Sequence, residues 1–302
     1  MIVVVGSLNY DLTVRTARFP QPGEAVIGES FTTACGGKGA NQAYAVARMG
    51  GRVAMIGCVG KDAFGEASLA SLEAVGVDTR RVLRRDDVST GVAFILLDAS
   101  GQNEIVVAPG ANRTLTAADL AQFADVFGQA RAVITQLETT LEATRAALEQ
   151  ARAAGAIAVL NPAPFAPLED AVLRACDFLI PNENEAANLC ACPVRTLDEA
   201  RAAAVRLRAR GARNVLITLG ANGVWVEAEQ WQGHVPAFTV PVVDTVAAGD
   251  VFIGAFVTRL VEGADVREAA RFGCAAAAIA VTRPGAQPSI PSRQEVEAFL
   301  SA

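Results

Sequence analysis

The chain has 302 residues, a net charge of −6 and a pI near 5.0; 52% of its residues are hydrophobic and the mean hydropathy is +0.31. A chain of this length buries roughly three-quarters of the surface its unfolded form exposes, so a large core is available. The acidic balance argues against a nucleic-acid partner, which wants a basic face, and against a polybasic membrane anchor.

MIVVVG at Met1–Gly6 lacks a basic n-region and a cleavage site, so it reads as a first strand rather than a signal peptide. EAVIGESFTT at Glu24–Thr33 is strand-like, and a helix is predicted over Asn41–Met49. VAMIGCV from Val53 is the next strand. Gly91–Ala108 (GVAFILLDASGQNEIVVA) reads as a hairpin around the polar turn DASGQN. Then strands AVITQL, AIAVLN, DFLIPN and NVLITLG alternate with helices at Leu141–Ala154 and Asp198–Arg210. Strands alternating with helices of this length form βαβ units around a mostly parallel sheet. The two strand-like stretches without a helix between them suggest a small separate sheet, placed as a lid over an α/β core. Arginines from Arg201 to Arg213 are interspersed with Ala, Val and Leu, as on a solvated helix face.

The six cysteines (35, 58, 176, 190, 192, 274) show no zinc or redox spacing and read as reduced thiols, mostly buried. CAAAAIAV from Cys274 is too short to span a bilayer. The expectation is a soluble cytoplasmic protein. A single histidine, His234, argues against a Ser-His-Asp hydrolase or a His-ligated metal enzyme, leaving proton transfer to a carboxylate.

In open α/β sheets, ligands bind beyond the carboxyl ends of the strands. Those ends carry Ser7-Leu8-Asn9-Tyr10-Asp11, Glu138, Asn161-Pro162, Asn182-Glu183-Asn184-Glu185 and Gly220-Ala221-Asn222-Gly223. Singly, such residues serve strand-to-helix turns; together they suggest one polar cleft suited to hydroxyl groups. In Val243–Phe256, a strand-like VPVVD leads through Ala247, Ala248 and Gly249 to Asp250, which opens an amphipathic helix. Small residues at a helix N-terminus expose N–H groups to an anion. Asp250 is then either the N-cap or a base that takes a proton from an attacking hydroxyl.

TACGGKGANQA (Thr33–Ala43) and DTVAAGD (Asp244–Asp250) resemble the two signatures of the ribokinase family of PfkB-type carbohydrate kinases. GSLNYD, TGVAF, APGAN, QLE, LNPAP, PNENEA, VLITLGANGV and AAAAIAVTRPGAQPSIP are similar to the family in the same order, along the whole chain. Gly36–Gly39 is therefore not a nucleotide P-loop: Gly39 follows Lys38 where that motif needs Ser or Thr. The resemblance implies a three-layer α/β/α ribokinase-like fold in one domain over 1–302, with lid strands at about 9–35 and 88–110. It implies transfer of phosphate from ATP to D-ribose at O5, with another sugar, a nucleoside or a non-catalytic sugar-binding regulator as alternatives.

By the same resemblance, Asn9, Asp11, Gly37, Lys38, Asn41 and Glu138 hold the sugar, and Ala93 and Val107 touch it from the lid. Asp250 is the base, and Ala247, Ala248 and Gly249 form the anion hole. ATP lies along Asn182, Glu185, Thr218, Gly220, Gly223 and Gly249, with Cys274 near the adenine. Asn182 and Glu185 organise Mg²⁺ through water. Asp244, Val246, Ala280, Arg283, Gly285 and Ser289 hold K⁺. The lid pairs two copies into a homodimer. Cys274, Tyr10 and Ile253 depart from the family's usual residues.

Overall fold

The computed structural model describes all residues, Met1–Ala302. β1 (Ile2–Val5) leads to β2 (Asn9–Arg15), and an irregular stretch to β3 (Ser30–Gly36) and α1 (Lys38–Arg48). β4 (Val53–Gly60), α2 (Ala63–Ala74) and β5 (Asp78–Arg85) follow, then the hairpin β6 (Gly91–Leu97) and β7 (Asn103–Ala108). Short helices α3 (Ala117–Ala121) and α4 (Ala124–Phe127) precede β8 (Ala132–Thr135), α5 (Leu141–Ala153), β9 (Ile157–Leu160), α6 (Asp170–Arg174) and β10 (Phe178–Leu179). α7 (Glu183–Cys190), α8 (Leu197–Ala209) and β11 (Asn214–Thr218) come next. The chain closes with β12 (Val224–Glu227), β13 (Gln232–Val235), α9 (Ala248–Glu262), α10 (Val266–Ala280) and α11 (Arg293–Ser301).

The main sheet has nine strands in the order β13-β12-β11-β10-β9-β8-β1-β4-β5, parallel except at β12 and β13. Its central strands β1 and β9 are apolar at every position because both faces are covered. Along β1, Val3 and Val5 enter one core with residues of α5, α7 and α8, while Ile2 and Val4 enter the other with residues of α1, α9 and α10. This is the expected three-layer α/β/α arrangement. α5 shows how a helix is fitted to it: Thr140 caps its N-terminus, and Ala143, Ala147, Leu148 and Ala151 form its buried stripe.

The second sheet has the order β3-β2-β6-β7. Strand alternation sorts its side chains into two sets. Asn9 and Asp11 share one face, and the register Asp11↔Ala93↔Val107 puts all three in one row across the lid. Tyr10 is on the other face, where its ring stacks on Phe64 of α2 at 4.7 Å. The DASGQN turn closes the hairpin, with the Asp98 carboxylate accepting from the Ser100 and Gln102 N–H groups.

Three expectations change. The strand predicted at Glu24–Thr33 begins only at Ser30, because residues 24–29 are irregular and exposed, and it runs on to Gly36. Val240–Asp244 is not a strand: it is an open segment tied by the Val243 and Asp244 N–H groups to the Val281 carbonyl. Asp250 does not open its helix. α9 starts at Ala248, with Ala247 as N-cap in the left-handed region.

Candidate active site

The cleft lies where the carboxyl ends of the parallel strands face the lid. Two glycines let the main chain close up there. A Cβ on Gly39 would fall 2.6 Å from the Ser7 nitrogen, so this glycine lets the start of α1 press against the end of β1. A Cβ on Gly254 would fall 2.5 Å from the Ala45 Cβ, so Gly254 lets α9 lie directly on α1. The second contact is what brings Asp250 to Asn41 and Gln42.

On the lid side, Asn112 donates from Nδ2 to the Asn9 Oδ1 (2.8 Å) and the Leu8 carbonyl (3.1 Å), and accepts from the Leu8 N–H (2.9 Å). The Asn9 oxygen is therefore occupied, and its NH₂ group is left for a ligand. No protein group donates a hydrogen bond to Asp11. Burial, with Glu138 nearby, raises its pKa to about 6. Glu138 is held in place through one oxygen, which accepts from the Ser7 hydroxyl and from the Lys38 N–H (2.9 Å). Burial alone would lower the Lys38 pKa, but Asp250, Glu138 and Glu185 outweigh it and hold the ammonium charged.

Asp250 is 6% exposed. Its Oδ2 accepts from Asn41 Nδ2 (3.1 Å) and its Oδ1 from Gln42 Nε2 (2.9 Å). The carboxylate thus serves α1 and caps no helix, which removes the N-cap alternative. Burial raises its pKa, opposed by Lys38 and the two amide donors, and Glu138 raises it further. A desolvated carboxylate with raised proton affinity is suited to act as a base. Beside it, the N–H groups of Gly249 and Asp250 have no acceptor, and a Cβ on Gly249 would meet nothing within 4 Å. Free amides, open space and the positive end of a 15-residue helix together make an anion site.

Further along the strand ends, Asn182 and Glu185 form a closed capping box at α7. Asn182 Oδ1 accepts from the Glu185 N–H, and Glu185 accepts from both the backbone and side-chain nitrogens of Asn182, each at 2.9 Å. Thr218 pairs with Asn182 in an isolated bridge. Gly220 (φ 52°) faces open space, whereas Gly223 (φ 88°) presses against the Val235 carbonyl. Cys274 is 7% exposed within the core, and burial pushes its thiol up to about 12. Asp244 bridges two loops, accepting from the Val246 N–H (3.0 Å) and the Gly285 N–H (2.8 Å). Ser289 is fully buried and donates to the Ala286 carbonyl.

Sequence reasoning singled out Asn9, Asp11, Lys38, Asn41, Glu138 and Asp250, and the structure gathers them around one cleft. It gave no role to Ser7, Gln42, Asn112 or Asn161, which hold those residues in place. Ser7 and Asn161 had carried a signal, as polar residues at strand ends.

Residues 1–293 match the model of the pfkB family of carbohydrate kinases, and the chain belongs to that family. It is 42% identical to the ribokinase of Haemophilus influenzae over 299 residues, covering 99% of this chain and 98% of that one. It is 38% identical to a deoxyribokinase of Salmonella typhi over 302 residues, covering 99% and 98%. A ribokinase of Arabidopsis thaliana solved with ribose and ATP superposes with a TM-score of 0.94 at 30% identity, covering 100% of this chain and 98% of that one.

Proposed function

We propose that the protein transfers the γ-phosphoryl group of ATP to O5 of D-ribose, giving D-ribose 5-phosphate and ADP. The observation that carries this reading is the buried Asp250 carboxylate beside the unpartnered N–H groups of Gly249 and Asp250. Asp250 takes the proton of the 5-hydroxyl as that oxygen attacks phosphorus, and the free amides hold the charge on the transferring group. Ala247, the left-handed N-cap of α9, immediately precedes these amides.

Asp11 and Glu138 accept from ribose hydroxyls, and the NH₂ of Asn9 donates to one. Asn41 has a free, buried Oδ1 that can accept another. Gly37 lets the main chain approach the sugar. Ala93 and Val107 border it from the lid, and Lys38 sets a positive charge at the reacting end. ATP lies along Thr218, Gly220 and Gly223, with Cys274 on the adenine side. The similarity to a ribokinase solved with ribose and ATP supports this placement.

Glu185 is the one carboxylate of the capping box, and no cluster of three or more His, Cys, Asp or Glu could hold a metal unaided. That donor set fits a Mg²⁺ ion that would arrive with ATP: Asn182 and Glu185 would hold it through water, and it would neutralise phosphate charge. The loops joined by Asp244 fit a weakly held K⁺ bound by oxygens. Asp244, the Ser289 hydroxyl and the carbonyls of Val246, Ala280, Arg283 and Gly285 would supply them. Such an ion would order the turn leading to the free amides.

The lid leaves Phe31, Phe94 and Val106 at 62%, 52% and 69% exposure on the face away from Asp11. An apolar sheet face of this kind fits a homodimer made by two lids. Six free thiols fit the reducing cytoplasm.

The deoxyribokinase relative supports a second acceptor, 2-deoxyribose. The test is ADP release from Mg-ATP with ribose, deoxyribose, fructose, adenosine or uridine, each with and without K⁺. Ribose-dependent release stimulated by K⁺ is expected. Release only with a nucleoside would overturn the sugar assignment, and no release with any acceptor, in folded protein that still binds ribose, would point to a sugar-binding regulator.

A further inference from the structure

We infer that Gln42 is a positioning residue for the reaction: its side-chain amide fixes which way the Asp250 carboxylate faces. Gln42 is fully buried, with no surface open to solvent. It stands at the centre of a chain of amides whose orientations are all forced. The Ile180 carbonyl can only accept, so it takes the Asn161 Nδ2 hydrogen at 3.0 Å. Asn161 Oδ1 must then face Gln42 as an acceptor, at 3.2 Å. Gln42 Nε2 is therefore the donor end, and it also donates to Asp250 Oδ1 at 2.9 Å. Its Oε1 is left to accept from Gln136 Nε2 at 2.6 Å.

The carboxylate has two donors, Asn41 on Oδ2 and Gln42 on Oδ1. They differ in setting. Asn41 has a free oxygen and is bordered by the cleft, so its amide can turn toward a ligand. Gln42 is locked between Asn161 and Gln136 and cannot turn without orphaning a buried donor or acceptor. The carboxylate plane is thus referenced to the backbone at Ile180, through two side chains, before any substrate arrives. Preorganisation of this kind matters because a base misplaced by about 1 Å costs on the order of a hundredfold in rate.

The inference rests on Asp250 being the base, and the test separates the two. Steady-state ADP release is measured for wild type, Gln42→Met, Asp250→Asn and the double variant, across pH 5.5–8.5. Gln42→Met keeps the side-chain length and removes both the amide NH₂ and the amide oxygen. It is expected to lower kcat about 10- to 100-fold with the ribose KM within about threefold of wild type. Losing a donor to ionised Asp250 raises that group's proton affinity, so the acid limb of kcat/KM moves up by about one pH unit. Lys38, Glu138 and Glu185 also face this carboxylate and are unchanged in the variant. In the Asp250→Asn background the Gln42 change adds less than about twofold.

Near-normal kcat in Gln42→Met, with Asp250→Asn impaired, would overturn the positioning role alone. An equal loss from Gln42→Met in both backgrounds would also overturn it, because the effect would not pass through Asp250. Near-normal Asp250→Asn would overturn the base assignment itself. If Gln42→Met does not fold, Gln136→Met removes the donor that locks the Gln42 oxygen. A several-fold fall in kcat at unchanged ribose KM is then expected, and an unchanged kcat would overturn the inference.

Discussion

Replacing Asp11 by Asn is expected to make the protein more stable and less able to hold its sugar. Asp11 lies in the cleft with no protein donor, and burial near Glu138 lifts its pKa from an ordinary 3.8 to about 6. That difference corresponds to about 3 kcal/mol; relaxation around the site reduces it to roughly 1–3 kcal/mol. The native state holds the Asp11 proton more tightly than the unfolded chain does. Ionising Asp11 therefore destabilises the fold, fully above about pH 6 and hardly at all near pH 4. Asn has the same shape and no charge, so Asp11→Asn removes this destabilisation. Thermal unfolding should show Tm higher by roughly 2–6 °C at pH 7 and nearly unchanged near pH 4. Titration calorimetry with ribose at pH 7 should show affinity weaker by about 10- to 100-fold, the loss expected for a hydrogen bond to a charged acceptor. A variant no more stable than wild type at pH 7, or equally stabilised at both pH values, would refute the reasoning about the charge. Unchanged ribose affinity would refute the sugar contact.

Three further outcomes follow from the same geometry. Asp250→Asn should lower turnover by about two orders of magnitude or more with sugar affinity much less changed, as read from kcat and from ribose calorimetry. Gly249→Ala adds a methyl that meets no protein atom, in a helix where Ala is favoured by about 0.5–1 kcal/mol, so Tm should hold or rise. The methyl fills the space before the free amides, and kcat should fall at least about tenfold. Tyr10→Ala removes the stack between lid and α2, worth about 0.5–1.5 kcal/mol. The ribose KM should rise severalfold with a smaller change in kcat, and limited proteolysis should cut the lid faster.

The order of the main-sheet elements was legible because each central strand is a short apolar run and each helix an Ala/Leu stripe. β5 was not, since DTRRVLRR is an edge strand whose arginines reach solvent and pair with Asp78, Glu66 and Asp119. The cleft residues were legible as polar side chains at strand ends and through the two signatures. Gln42, Asn112 and Asn161 were not given roles, because what they do depends on partners 119 and 208, 103 and 119 positions away. The placement of Asp250 was misread by two residues because Ala247 and Ala248 look like a turn. The left-handed Ala247 starts the helix there, which turns the Asp250 carboxylate toward α1 and not back onto its own N-terminus. Tyr10 was the departure whose outcome strand alternation could foretell, and it faces Phe64, away from Asp11.

The most direct test of the central claim is ³¹P NMR of the product made from ATP and D-ribose by wild type and by Asp250→Asn. The account predicts ribose 5-phosphate and ADP in equal amounts from the wild type, and almost no sugar phosphate from a folded variant that still binds ribose. Phosphate on another hydroxyl, or sugar phosphate formed at the wild-type rate by Asp250→Asn, would contradict it.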